Sequence, residues 1–158
     1  MMDLTIRHYR PDDLDALKQL TVGAFGGVTL EQDVENALGL LHGHDWRWRK
    51  SRHIDEDVAA HPEGIFVAET QGRVAGYIST RVDRDAGKGR IPNLAVAAEF
   101  RGQGLGRRLI ERALEYFRRE GLDYAMIETM AQNEIGQQLY PACGFVEVAR
   151  QIHFARRL

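Results

Sequence analysis

Arg101-Gly102-Gln103-Gly104-Leu105-Gly106 decides the reading of this chain. An apolar run, Ile91 to Val96, precedes it, and an amphipathic helix pattern follows it. Three alternating glycines let the backbone turn tightly and approach a ligand, because no Cβ intervenes. The helix start behind them presents free N–H groups and the positive end of its dipole. Strand, glycine turn and helix start together make an anion site, and phosphates are its usual guests.

Two familiar phosphate loops do not fit. The dinucleotide fingerprint needs Gly-x-Gly-x-x-Gly, and the nucleotide-triphosphate loop ends in Gly-Lys-Ser or Gly-Lys-Thr. Here Gly106 is followed by Arg107-Arg108. The stretch Leu94-x-Val96-x-x-Glu99-x-Arg101-Gly102-x-Gly104-x-Gly106 instead resembles the acetyl-CoA pyrophosphate loop of the GNAT superfamily of N-acetyltransferases. Arg101, Gly104 and Gly106 match that loop position by position.

The 158 residues are most simply one domain, 1–158, with enough length for a core. A hydrophobic content of 44% and a charged content of 28% are ordinary for a globular protein. A net charge of −2 gives no general pull toward nucleic acid or anionic membranes. The single cysteine, Cys143, excludes an internal disulfide and suits a reducing compartment. No secretory signal or membrane-length apolar stretch is seen, so a cytoplasmic location is expected.

Outward from the loop, Leu4 to Tyr9 reads as a strand, and Pro11-Asp12-Asp13 opens a helix carrying Leu14, Leu17 and Leu20. Thr29 with Gln32 suggests a capping box for a second helix striped by Val34, Leu38 and Leu41. His42 to Pro62 lacks clear periodicity, and short helical pieces over the surface are expected. Ile65 to Thr70, the turn Gln71-Gly72 and Arg73 to Asp83 read as a hairpin, with Arg90 to Val96 a third strand. The helix behind the glycines runs from about Leu105 to Glu120, and Gly121 ends it. Tyr124 to Met130 reads as a central strand, Ile135 to Ala142 as a short helix, and Phe145 to Arg157 as a terminal strand or two strands meeting at a bend. The expected class is α/β (α+β): a mixed, mostly antiparallel sheet flanked by helices.

The GNAT resemblance implies specific roles. Backbone N–H groups of Arg101, Gly102, Gln103, Gly104, Leu105 and Gly106 would hold the pyrophosphate, with Arg107 in reach of a phosphate. The backbone of Leu94, Ala95 and Val96 would pair with the pantetheine arm like an added strand. Glu128-x4-Asn133-x6-Tyr140, followed by Pro141-Ala-Cys-Gly-Phe145, resembles a further family pattern. It implies that Asn133 bonds the pantetheine amides and that Tyr140 points its hydroxyl at the sulfur. Glu128, at the spacing of the ribosomal-protein N-terminal acetyltransferase branch, is the implied base. The alternative reading of Glu128 is a structural ion pair with an arginine.

One departure stands beside these matches. Where many members of that branch have acids before the Leu94-like position, this chain has Pro92 and Asn93. Proline donates nothing to a ladder, so distortion is expected there. His42-Gly43-His44-Asp45 does not have metal-site spacing, and no metal is expected. Trp46 and Trp48 line either an acceptor pocket or a packed lid. The expected function is transfer of acetyl from acetyl-CoA to a primary amine of a small molecule or peptide, by direct attack on the thioester. A non-catalytic acyl-CoA sensor of the same fold is the alternative. No nucleic-acid or membrane partner is expected, and a homodimer is the commonest self-association.

Overall fold

The computed structural model describes residues 3–158. β1 (Leu4–His8) pairs antiparallel with β2 (Phe66–Thr70), and β2 pairs with β3 (Arg73–Ile78). Gln71 and Gly72 take φ of 50° and 72°, the double left-handed turn that matches strand twist. β3 then pairs with β6 (Leu94–Val96), which closes a four-stranded sheet in the order β1-β2-β3-β6. A second sheet holds β4 (Arg81–Asp83), β5 (Lys88–Ile91) and β7 (Tyr124–Ile127), with β5 and β7 parallel.

The two expected strands, Arg73 to Asp83 and Arg90 to Val96, are therefore each broken once. The breaks lie at Ser79-Thr80 and at Pro92-Asn93. Pro92 has no N–H to give a ladder. Asn93 and Ser79 spend their side chains on buried partners described below.

Helices cover both faces. Helix α4 (Leu105–Arg119) lays Leu105, Leu109, Ile110, Ala113 and Phe117 against Phe66, Ala68, Ile78 and Ile91. Each large apolar side chain so buried contributes roughly 2 kcal/mol. On the opposite face Leu17 of α1 (Leu14–Phe25) and Ile54 of α3 (Trp46–Ala60) meet Ile65, Val67, Tyr77 and Ala95. Phe66 and Ala68 facing one way and Val67 the other is the period of a strand buried on both sides.

Three expectations fail. The segment His42 to Pro62 is mostly one helix, α3, capped by Asp45, whose carboxylate accepts from Trp48 N at 3.0 Å. Its buried residues are Trp46, Lys50, Ile54 and Asp57. That is helical spacing, but two of the four are charged, so hydrophobic periodicity does not reveal it. The capping box of α2 (Leu30–Leu38) does not form, because Gln32 Oε1 accepts from Gly27 N instead. Finally, 145–158 pairs with no strand among the described residues.

Candidate active site

The chain leaves β6, passes one short turn at Ala98–Phe100 and enters the glycine bend. Gly102 and Gly104 have φ of 73° and 77°, a left-handed conformation that L side chains rarely adopt. Gly104 is the N-cap of α4 and offers no side-chain acceptor. The N–H groups of Gly102 through Arg107 donate to no backbone acceptor among the described residues. A Cβ at Gly102 or Gly104 meets nothing within 4 Å, so the space over these amides is open. This is a run of unpaired donors at the positive end of a 15-residue helix.

Beside it lies a free strand edge. Asn93 and Ala97 exchange bonds with β3 and its flanks: Ser79 N donates to Asn93 O, and Ala97 N to Ala75 O, both at 2.9 Å. By alternation Ala95 also faces β3, so the N–H and C=O groups of Leu94 and Val96 point to the other edge. β7 covers β5 only as far as the Ile91–Ile127 pair and does not reach β6. The sheet therefore splays open along Leu94 to Val96. Arg101 Nε donates to the exposed Val96 carbonyl at 3.2 Å, which ties the bend to this edge.

The remaining expected residues divide. Tyr140, in α5 (Glu134–Ala142), packs edge-on to Phe145 and against the core beneath α4. Burial pushes its phenol above the ordinary value, with Cys143 adding to the shift, so it stays protonated. Asn133 is the N-cap of α5: Oδ1 accepts from Gly136 N at 3.1 Å and Nδ2 donates to Thr129 Oγ1 at 2.7 Å. Its amide is thus engaged in holding the helix start. Arg107 forms an exposed i,i+4 pair with Glu111 at 3.0 Å, one turn inside α4. Cys143 is half-buried and its thiol is raised by burial, which fits a packing role.

Glu128 departs from its expected setting. β7 ends at Ile127 and lies at a sheet edge, and the Glu128 side chain is 62% exposed and paired with Arg90. It is neither in a central strand nor buried. The expectation failed because Tyr124 to Met130 reads as seven strand residues, while only four find a partner in β5.

A group that sequence reasoning missed stands directly behind the splayed edge. Asp57 is 3% exposed and accepts from Ser79 Oγ at 2.6 Å, Asn93 Nδ2 at 2.7 Å and Arg81 at 2.9 Å. Asn93 Oδ1 accepts from Lys50 Nζ at 2.8 Å. Lys50 Nζ also sits 4.1 Å from the centre of the Phe25 ring and 3.4 Å from His53 Nδ1. His53 in turn bonds Glu31 at 3.1 Å, and His53 with Arg49 holds the Glu31 carboxyl below its usual range. Lys50 and Asp57 are seven residues apart on α3, and that spacing is the signal that was available.

Burial lowers the Lys50 ammonium from 10.5 to about 8, against the pull of Asp57 and Glu31. The folded state then binds fewer protons than the unfolded chain between pH 8 and 10.5, so stability rises with pH across that window. Unfolding in urea is expected to show wild type gaining about 2 kcal/mol between pH 7.5 and 9.5. Lys50→Met is expected to be nearly flat there; an unchanged slope in Lys50→Met assigns the effect to another group.

The loop before α5 meets α2 on this side of the molecule. Gln132 Nε2 donates to Asp33 Oδ2 at 2.8 Å. An open groove between α1 and the β2–β3 turn reaches Val96 and Arg101 of the bend, and in its far wall Arg7 donates to both Asp13 and Glu69. Among the described residues no cluster of three metal-binding side chains occurs, and His44 stacks on Trp48 with ring centres 3.5 Å apart.

Residues 30–145 match the acetyltransferase (GNAT) family. The chain belongs to that family. It is 37% identical over 144 residues to an uncharacterized N-acetyltransferase of Methanocaldococcus jannaschii, covering 90% of this chain and 78% of that protein. It is 28% identical over 161 residues to the mycothiol acetyltransferase of Propionibacterium freudenreichii, covering 96% of this chain and 46% of the relative. The chain thus spans less than half the length of that relative. Among solved structures, the PaiA N-acetyltransferase of Thermoplasma acidophilum in complex with coenzyme A aligns with a TM-score of 0.70. That alignment covers 89% of this chain and 88% of the other at 17% identity, a likeness of fold. The GNAT fold accounts for the splay: its open edge and glycine bend lie side by side at the strand–helix junction.

Proposed function

We propose that this GNAT protein transfers acetyl from acetyl-CoA to a primary amine by direct attack on the thioester. The observation that carries the reading is the run of unpaired amides, Gly102 to Arg107, adjoining the free edge of Leu94 and Val96. A diphosphate satisfies the first set, and an extended pantetheine amide chain satisfies the second. The residues fit that molecule at both ends.

The acceptor nitrogen forms a bond to the acetyl carbon while the carbonyl oxygen gains charge. A β6 N–H on the open edge, at Leu94 or Val96, stabilises that oxygen. The C–S bond then breaks and the thiolate leaves toward Tyr140. A phenol above pKa 10 giving its proton fully to a thiolate near 8.5 is uphill by roughly 2 kcal/mol or more. Tyr140 therefore acts mainly by donating a hydrogen bond to the sulfur. The proton lost by the amine passes to water. Glu128, whose spacing carried the likeness to the ribosomal-protein branch, serves as Arg90's ion-pair partner in the single chain.

Calorimetry with CoA tests the cofactor half. Saturable binding is expected in wild type. Gly104→Val is expected to weaken it more than about tenfold, since losing even one or two bonds from N–H groups to phosphate costs about that much. The same change costs roughly 1–2 kcal/mol of stability through the left-handed backbone. Absence of any heat with CoA removes the proposal. A panel of amines with acetyl-CoA, followed by free thiol, tests the transfer.

A further inference from the structure

The chain has only three lysines, Lys18, Lys50 and Lys88. Lys18 pairs with Asp55 at 2.7 Å near the surface. Lys50 is the buried one, 6% exposed, and among the described residues it forms no ion pair. The two acids whose charge reaches it, Asp57 and Glu31, pair instead with Arg81 and Arg49. A buried ammonium without its own carboxylate gives up a proton readily, because the charged form lacks both water and counter-charge. Burial brings Lys50 down to about 8, so much of it is free amine in mildly alkaline solution.

Its neighbours are arranged to take that proton. Glu31 Oε1 lies 3.1 Å from His53 Nε2. A carboxylate only accepts, so the ring hydrogen sits on Nε2 and leaves Nδ1 as an acceptor. Nδ1 faces Lys50 Nζ at 3.4 Å. A carboxylate that orients a histidine, which in turn faces an amine, is the arrangement that activates a nucleophile. The His53 side chain is 35% exposed, which gives the proton an exit to solvent. On its other side Lys50 Nζ stands 2.8 Å from Oδ1 of Asn93, the residue that leads into the open edge at Leu94.

We propose that Lys50 is itself an acceptor amine, acetylated within its own chain from acetyl-CoA lying along Leu94 to Val96. This rests on the function proposed above. Nζ forms a bond to the acetyl carbon, the C–S bond breaks, CoA leaves as the thiolate, and the amine proton passes to His53 Nδ1. The amide so formed keeps one N–H to donate to Asn93 Oδ1, whereas the charge over the Phe25 ring is gone.

The purified chain is incubated with isotope-labelled acetyl-CoA in mildly alkaline buffer, and its three lysines are read by peptide mass spectrometry. Label is expected on Lys50 ahead of Lys18 and Lys88, with a rate constant independent of protein concentration. A water-soluble N-hydroxysuccinimide ester of acetate, which needs exposed amines, is expected to give the reverse order. His53→Gln should slow labelling of Lys50 about 100-fold, the low end of what a placed proton acceptor contributes, while CoA affinity by calorimetry is kept. Even labelling of the three lysines, the same order with both reagents, a rate constant that rises with protein concentration, or an unchanged rate in His53→Gln overturns the proposal. A chain that binds CoA and acetylates an added amine while Lys50 stays unlabelled overturns it too, and leaves the transferase function standing. A chain that gives no heat with CoA removes both.

Discussion

Replacing Asp57 with alanine is expected to destabilise the fold by about 3–5 kcal/mol, the cost of breaking a buried charged group. The carboxylate is 3% exposed and serves three donors, Ser79, Asn93 and Arg81. Its loss strands the buried Ser79 and Asn93 donors, and unsatisfied buried donors cost more than made ones return. The damage also reaches the reacting edge. Asn93 immediately precedes Leu94, and its side-chain bonds to Asp57 and Lys50 hold the chain where Pro92 interrupts the ladder. For a domain of this size the melting temperature should fall by roughly 10 °C. Scanning calorimetry decides it: a shift of a degree or two means the network is dispensable. Asp57→Asn keeps one acceptor and should fall between the two.

Tyr140→Phe is expected to lower kcat about 100-fold while leaving the affinity for CoA within about twofold. The ring remains, so the packing on Phe145 and the core under α4 remains. Only the hydroxyl goes, and among the described residues no group hydrogen-bonds it. Stability should therefore be unchanged or slightly increased. Steady-state kinetics paired with CoA calorimetry makes the check. Loss of affinity together with turnover would make Tyr140 a binding residue. Unchanged turnover would leave the thiolate to be stabilised by another group. A protein that only senses acyl-CoA has no turnover for this variant to lose.

Much of this architecture was legible in the order of residues, wherever one physical cause acts locally. Gln71-Gly72 named its turn because two consecutive left-handed residues are needed there. The α4 face was plain because its buried positions are all apolar. α3 was hidden for the opposite reason: Lys50 and Asp57 occupy core positions that hydrophobicity assigns to solvent. They are tolerated because each meets its partner from a segment distant in the chain. Asn93 stood out in the sequence only as a departure from the acids of the ribosomal-protein branch, yet it links those two charges.

The sequence by itself determined the anion-holding bend, since glycines at Gly102 and Gly104 and the helix start behind them act through backbone geometry alone. Tertiary structure alone decided where the sheet opens, which charges are buried, and that Glu128 meets Arg90 at an edge. It also decided that the last strand-like stretch goes unpaired in a single chain. Pairing and burial depend on which distant segment arrives alongside, and no local spacing encodes that arrival.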